Sequence, residues 1–330
     1  MAEYLTNTTD LTSVANAIRT KGGTTELLTY PDEFVTAIQA IQTGTELQIV
    51  ATVASGATVT ATKGSLSVSG TSVNGTCTLI VPETGTWSVS ATMGGQTSDT
   101  KTVSITGIYA VALSFLKDNF ADNDWSDIIA ACHSGSVPST WVVGNSKMMT
   151  INGTDYQIDI IGKNHDTYTA GGTAPLTFQL HDCYADTKQM NSSNTNSGGW
   201  TSCAMRQTHL PAILALMPTE VQNGIREVNK LTSAGSQSST INTTADKLFL
   251  LSEIEIFGSV SYSKSGEGTQ YDYYKAGNSK VKNRNGSAAG WWERSPIASN
   301  SARFCVVSSG GDADRNYANG VRGVAFGFCF

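Results

Sequence analysis

Four histidines and six cysteines are the residues of this 330-residue chain best suited to catalysis or metal binding. Their spacing favours neither. His133, His165, His181 and His209 are scattered, and none stands at a spacing that pairs it with a base. The nearest approaches to a constellation are His165-Asp166 and His181-Asp182-Cys183. Neighbours along a strand point to opposite faces, so neither run makes a triad by itself. The chain contains no G-x-S-x-G elbow, no H-E-x-x-H pair and no P-loop. Cys77, Cys132, Cys183, Cys203, Cys305 and Cys329 include no C-x-x-C pair, which excludes a zinc ribbon. Most of them read as small buried hydrophobes. A Cys305–Cys329 or Cys183–Cys203 bond would be open to the chain in an oxidising exterior. The reading is therefore of a protein that is not an enzyme.

Residues suited to binding gather at Gly290–Phe330. Two β-type runs, Ala302–Ser308 and Gly320–Phe330, flank a polar segment, Ser309–Asn319, rich in Gly, Asp and Asn. Val, Phe and Cys in the runs fit a pleated, half-buried surface, whereas the segment between has turn chemistry. Trp292 and Tyr317 offer rigid aromatic area, Arg303 and Arg315 planar donors, and Asp312 and Asp314 acceptors. Glu293, Asn316 and Asn319 complete the candidate ligand-binding set. Aromatic and Arg anchors among small polar residues describe a paratope. Of the adjacent tryptophans, Trp291 is expected to be buried and Trp292 partly exposed. Asp312, Asp314 and Asn316 also resemble the start of a calcium loop, although Gly323 stands where such a loop needs its bidentate Glu. Calcium is thus a candidate ion; no metal site and no other cofactor is assigned.

Three segments must position these residues. Residues 1–44 read as a helical hairpin. Thr9 or Asp10 caps a first helix carrying Leu11, Val14, Ala15 and Ile18 on one stripe, and Lys21-Gly22-Gly23 ends it. Pro31 opens a second helix with Phe34, Ile38 and Ile41 at i, i+4 and i+7. Two such short helices bury too little surface alone and need a partner. Residues 46–106 alternate apolar and polar residues in short runs, with turns at Lys63-Gly64, Asn74-Gly75, Glu83-Thr84-Gly85 and Gly94-Gly95. That spacing predicts an immunoglobulin-like or prealbumin-like β-sandwich acting as a spacer. Trp87, in phase with Val89, is expected in its core.

Residues 107–330 read as a larger α+β domain. Asp122 or Asn123 caps a helix with Trp125, Ile128, Ile129 and Cys132 on one face, closed by Gly135. Asn152-Gly153 joins Lys147–Ile151 to Thr154–Ile160 as a hairpin, with Tyr156, Ile158 and Ile160 inward and Asp155, Gln157 and Asp159 outward. A helical stretch broken at Pro218 carries Val221, Ile225 and Val228. Leu248–Phe257 reads as a central strand. Gly258–Gly286 reads as a long loop with a cluster of Tyr271, Tyr273 and Tyr274.

Composition restricts the function classes. Charged residues are 15% and hydrophobics 39%, with a net charge of −6. Soluble domains average ~25% charged residues, so the surface here is polar but weakly charged. A duplex-binding protein needs a basic patch, which this chain lacks, so no nucleic-acid partner is expected. No apolar run approaches the ~18 residues of a membrane helix. The N-terminus has no signal-peptide core, so synthesis and folding are expected in the cytoplasm.

The run Trp291-Trp292-Glu293-Arg294-Ser295-Pro296, followed by Arg303-Phe304-Cys305-Val306-Val307 and Gly320-Val321-Arg322-Gly323-Val324, resembles a bacterial and phage domain family ending in "WWLRSP … GVRPA". That family is often appended to phage tail proteins. It is similar to C-type-lectin-fold variable proteins diversified by retroelements. The resemblance spans Ile108–Phe330. It departs at Glu293, where the family has Leu, and at Gly323-Val324, where it has Pro. Residues 1–44 also resemble N-terminal segments of phage tail proteins. The resemblance implies a multidomain chain whose N-terminal helical hairpin (1–44) attaches to a particle or trimerises. An immunoglobulin-like sandwich (46–106) extends it, and an α+β C-type-lectin-like domain (107–330) binds ligand. The implied function is a virion tail receptor-binding protein, an adhesin for host adsorption. Its partners would be a bacterial surface protein or glycan, other tail proteins and copies of itself, a trimer before other states, without membrane insertion. Arg294 and Arg322 would be framework donors. The same fold family admits two alternatives, a formylglycine-generating-enzyme-like catalytic domain, for which Cys305 and Cys329 are the terminal candidates, and a purely structural tail component.

Overall fold

The computed structural model describes residues 8–22, 27–29, 32–40 and 46–330. Two compact units divide the chain, Met1–Phe115 and Leu116–Phe330. In the smaller unit, α1 (Thr8–Gly22) and α2 (Asp32–Ala40) bring Ala15, Ile18 and Phe34 into a small apolar cluster, with Leu28 and Ala37 against it. Val14, on the same predicted stripe, is half exposed. Helix α1 begins before Thr9 and Asp10, which places both inside it rather than at its cap. Gly23, Pro31 and Ile41 lie outside the described residues, as does the side chain of Ile38.

The rest of this unit is β. Its strands are β1 (Gln48–Thr52), β2 (Thr58–Lys63), β3 (Leu66–Thr71), β4 (Thr76–Ile80), β5 (Gly85–Met93), β6 (Gln96–Thr97), β7 (Lys101–Ile105) and β8 (Ile108–Ala112). One sheet has the order β4-β1-β8; the other has the order β3-β2-β5-β6, with β7 also on β5. Alternation along each strand sends Ile49, Ala51, Val59, Ala61, Leu79, Val89 and Val103 into one shared core. Trp87 is wholly buried there, its Nε1 donating to the Glu83 carbonyl at 3.2 Å. Asn74 and Gly75 adopt φ of 52° and 83°, the left-handed pair that a two-residue hairpin turn requires. The expected boundary at 106 shifts. Strand β8 pairs in parallel with β1, and Val111 and Leu113 join the sandwich core, so the unit runs to Phe115.

In the larger unit, α3 (Trp125–Ser134) follows an Asp124 cap and stops at Gly135, whose φ of 70° suits glycine. Neither Asp122 nor Asn123 caps it. The Asn123 amide instead closes a loop on the Lys117 backbone at 2.7 and 3.0 Å. The hairpin forms as the sequence predicts: β9 (Ser146–Ile151) and β10 (Thr154–Lys163) meet through Asn152 and Gly153, at φ of 50° and 78°. Tyr156, Ile158 and Ile160 are buried. Asp159, expected outward, is buried too, because His181 covers it at 2.6 Å.

Strand β11 (Leu176–Leu180) is buried at every position. Helices α4 (Gly199–Ser202), α5 (Leu210–Leu214) and α6 (Thr219–Gly224) follow, and then the ribbon β12 (Val228–Ser233) and β13 (Ile241–Asp246). Val228 therefore starts a strand and does not extend the helix containing Val221. The predicted central strand Leu248–Phe257 also gives way. It supplies only β14 (Leu248–Phe249); Ser252 then caps α7 (Glu253–Phe257) in a capping box with Glu255. The S-x-x-E spacing of Ser252 and Glu255 carries that signal, and it overrides the apolar run before it. In the long loop, α8 (Asp272–Lys275) packs inward. Tyr271 and Tyr274 are core residues whose hydroxyls bond Asp166 at 2.8 Å and Gln179 at 2.6 Å.

The last strands are β15 (Lys282–Arg284), β16 (Ser287–Ala289), β17 (Trp291–Pro296), β18 (Arg303–Val307), β19 (Ala313–Tyr317) and β20 (Gly327–Cys329). Strand β20 closes the main antiparallel sheet from inside, in the order β14-β20-β11-β10-β9. A second antiparallel sheet has the order β17-β18-β19. The whole chain is thus a multidomain, mostly β protein of α+β type with several separate sheets. All six cysteines are buried and unbridged, so neither candidate disulfide forms.

An ion network joins these pieces. Arg294 on β17, wholly buried, donates to both Glu255 oxygens, to the Leu250 and Glu267 carbonyls at 2.9 and 2.8 Å, and to Thr232 Oγ1 at 2.9 Å. Lys230 on β12 reaches Asp166 and Glu255 at 2.8 Å each and Tyr271 Oη at 3.0 Å. Two cations and two carboxylates balance. Removing one partner strands a buried charge, at a cost of about 3–5 kcal/mol. Replacing Arg294 by Met is expected to lower the stability of the larger unit by that amount in urea unfolding followed by tryptophan fluorescence. An unchanged midpoint would show that the network is dispensable.

Candidate binding surface

Strand β17 holds the framework of the surface. All six residues Trp291–Pro296 are buried, because the strand is covered on both faces. The Trp291 indole donates to the Lys280 carbonyl at 3.0 Å and the Trp292 indole to the Lys188 carbonyl at 2.8 Å. Trp292 and Glu293 therefore leave the candidate ligand set; both are 0% exposed. The alternation that predicted one exposed tryptophan assumed a strand with a wet face.

Glu293 is the unusual member. Neither carboxyl oxygen finds a hydrogen-bond partner among the described residues. Burial, then the nearby Glu253 and Glu267 carboxyls, push its pKa well above the ordinary carboxylate value. Burial likewise lifts Glu267 from 4.5 to about 7. Cys305 lies in the same pocket of acids, within 4.0 Å of Glu253, and its thiol is pushed far up by burial and by Glu293. Burial does the same to Cys329, with Asp166 beside it. Neutral, sealed thiols are poor nucleophiles.

Exposure begins one strand further out. Strand β19 is the edge of its sheet, and the segment expected to be all turn is half strand. The turn proper is Ser308–Asp312, where the Ser308 amide donates to the Asp312 carbonyl at 2.8 Å and Gly311 takes φ of 89°. Register then divides the predicted set. Tyr317 lies opposite Arg303, Arg315 opposite Cys305, Asn316 opposite Phe304 and Asp314 opposite Val306. Alternate residues face opposite ways, so Arg303 on β18 and Arg315 and Tyr317 on β19 share one face of the sheet while Asp314 and Asn316 take the other. On the first face the Arg303 guanidinium lies over the Tyr317 ring at 4.2 Å, and that of Arg315 over Tyr262 at 4.8 Å. Tyr317 is 45% exposed. Asp312 and Asn319 are exposed at either end of the strand. Asp314 and Asn316, from the calcium-loop resemblance, stand on one face of β19 about 7 Å apart along the strand. No group of three or more acidic, Cys or His side chains among the described residues is placed to hold a metal.

Two clefts flank this region, and sequence reasoning found neither. One, of ≈ 350 Å³, is bordered by Arg284, Arg322, Gly290, Ser308, Ser309 and Asp314. Arg322, read from the sequence as a framework donor, makes a 2.8 Å bond to the adjacent Val321 carbonyl and lines the opening. The other, of ≈ 300 Å³, is bordered by Tyr156, His181 and Cys183. His181 Nδ1 contacts Asp159 there, a pairing between residues 22 apart that spacing could not reveal. The hydrogen bond to Asp159 raises the His181 pKa, while burial pushes Cys183 to about 11. Of the other histidines, His165 stacks on Tyr271 at 3.9 Å and His133 Nε2 contacts the Gly224 carbonyl at 2.8 Å. Tyr262, which backs Arg315, comes from the long loop and carried no sequence signal.

The buried acids make a pH prediction. Glu293 and Glu267 bind a proton more tightly folded than unfolded. Their contribution is therefore fully favourable below the unfolded value and is lost as pH rises, for Glu267 between 4.5 and about 7. Glu293→Leu removes an unpaired buried carboxyl, worth roughly 1–3 kcal/mol. The variant is expected to be more stable than the parent at pH 7.5, with a flatter dependence of the urea midpoint on pH between 5 and 7.5. A lower midpoint would show that the carboxyl is bonded in solution.

Residues 176–329, from β11 to β20, match the model of a domain of unknown function, DUF6273. No curated protein and no solved structure matches the chain. Over that region the chain is similar to this family.

Proposed function

We propose that this chain is a phage tail receptor-binding protein that grips a bacterial surface without turnover. In this reading the larger unit is a C-type-lectin-like domain, the sandwich an immunoglobulin-like spacer, and α1 and α2 part of an attachment or trimerisation segment. The observation that carries the reading is the contrast between β18 and β19. Phe304–Val307 are sealed in the core, while Asp314, Arg315 and Tyr317 on the next strand are exposed. Side chains at such an edge can be exchanged without touching the packing beneath. Arg and Tyr, the residues that dominate binding hot spots, sit there in stacked pairs. Weak single contacts would be multiplied by many copies on a particle. The high pKa values of Cys305 and Cys329 count against the formylglycine-generating-enzyme-like alternative.

Arg315→Ala and Tyr317→Ala are expected to leave the unfolding midpoint within about 0.5 kcal/mol of the parent and to cut adsorption to host cells by roughly tenfold or more. Unchanged adsorption with an intact fold would favour the purely structural tail component. In the attachment role, the full chain is expected to sediment as a trimer, and a chain beginning at residue 46 as a monomer. Equal sedimentation of the two would remove the oligomerising role of the first segment.

A further inference from the structure

We infer that the cleft beside β19 is a binding site for the carboxylate of an acidic sugar unit. The inference concerns the face of β19 opposite Arg315 and Tyr317, so it stands or falls apart from the adhesion reading. Arg284 arrives from β15, Arg322 from the segment after β19, and Asp314 from β19, where it faces Val306 across the sheet. Arg284 gives Nη1 to the Ala185 carbonyl at 3.2 Å, and Arg322 gives Nη1 to the Val321 carbonyl at 2.8 Å. None of the ion pairs among the described residues uses Arg284, Arg322 or Asp314. A guanidinium carries five N–H donors, so each arginine retains donors for a ligand.

Three features narrow the ligand. Two guanidinium forks match planar, two-oxygen anions. Two cations and one carboxylate leave the lining at net +1, which suits a monoanion better than a doubly charged phosphate. Asp314, Ser308 and Ser309 add acceptors and hydroxyls that a bare carboxylate has no use for and a ring of sugar hydroxyls does. The ≈ 350 Å³ of space is at the lower end of small-ligand sites, of the order of 300–1,000 Å³. Gly290 keeps the floor clear. A Cβ there would stand 3.3 Å from the Val307 carbonyl oxygen, a tight approach to backbone, and 3.5 Å from Arg322 Cδ, an ordinary contact that takes up space beside that side chain.

The test is a titration of the full chain with glucuronate, followed by calorimetry and by amide NMR shifts. Binding of millimolar strength is expected, at least tenfold tighter than for glucose, acetate or inorganic phosphate. Arg322→Ala and Arg284→Ala are each expected to weaken it at least tenfold. If Arg322→Ala misfolds, Arg322→Lys keeps the charge without the fork and should still weaken binding. No binding of glucuronate overturns the assignment. Equal binding of acetate or phosphate also overturns it, by reducing the cleft to a general anion site, as does equal binding of glucose. Glucuronate binding that survives loss of either arginine would place the ligand elsewhere.

Discussion

The larger unit depends on a continuous circuit of buried charge that runs from Asp166 through Lys230 and Glu255 to Arg294. Arg294, Glu255, Lys230 and Asp166 come from a strand, a short helix, a ribbon and a loop, and each holds at least one of the others. Every member has lost its water, so every member needs the others in place. The circuit also consumes backbone. Arg294 takes up the carbonyls of Leu250 and Glu267, in irregular chain that no sheet would satisfy, and that of Leu231 on the β12 ribbon. In this way it fixes the Gly258–Gly286 region, which a hydrophobic core alone would leave underdetermined. Tyr271 extends the circuit by donating to Asp166 and accepting from Lys230.

That circuit explains where the surface can vary. Strand β17 is part of the network, β18 is part of the apolar core, and β19 belongs to neither beyond its backbone pairing. Side chains on β19 are therefore largely released from structural duty: Asp314, Arg315 and Tyr317 are exposed, and Ala313 and Asn316 are half-buried. The glutamate at 293 fits less well. It puts a third carboxyl beside Glu253 and Glu267 in a place with no cation of its own. Glu253 is satisfied by the amides of Ser261, Tyr262 and Ser263, and Glu267 by Ser233 and Ser295. Glu293 has no such cradle, and we have no physical account of its presence there.

Local rules were legible wherever the decisive residues are neighbours in sequence. Asn152-Gly153 specified a hairpin, Gly135 a helix end, and the alternation around Trp87 and Val89 a core strand. Each rests on backbone conformation or a two-residue period, which a short window contains. Leu248–Phe257 departs from a single strand because two short-range signals overlap there, an apolar run and a capping box, and the capping box prevails from Ser252 onward. Trp292 departs from expectation for a different reason. Whether a strand has one wet face or none depends on what the chain lays over it, and here that comes from around Lys188, about a hundred residues away.

The sequence by itself determined the hairpin turns, the helix end at Gly135, the division into a smaller unit rich in β-strand and a larger mixed one, and the stretch in which the candidate binding residues gather. Only the tertiary structure decided which of those residues meet. Register on β18 set Arg303 and Tyr317 together and turned Asp314 away from them. The folding of β15 and of the segment after β19 toward one opening made a cleft from Arg284 and Arg322, 38 positions apart. His181 found Asp159 across paired strands. Periodicity reports the direction of a side chain relative to its own backbone; it says nothing of what another part of the chain brings to that side, because that is fixed by packing the whole core at once.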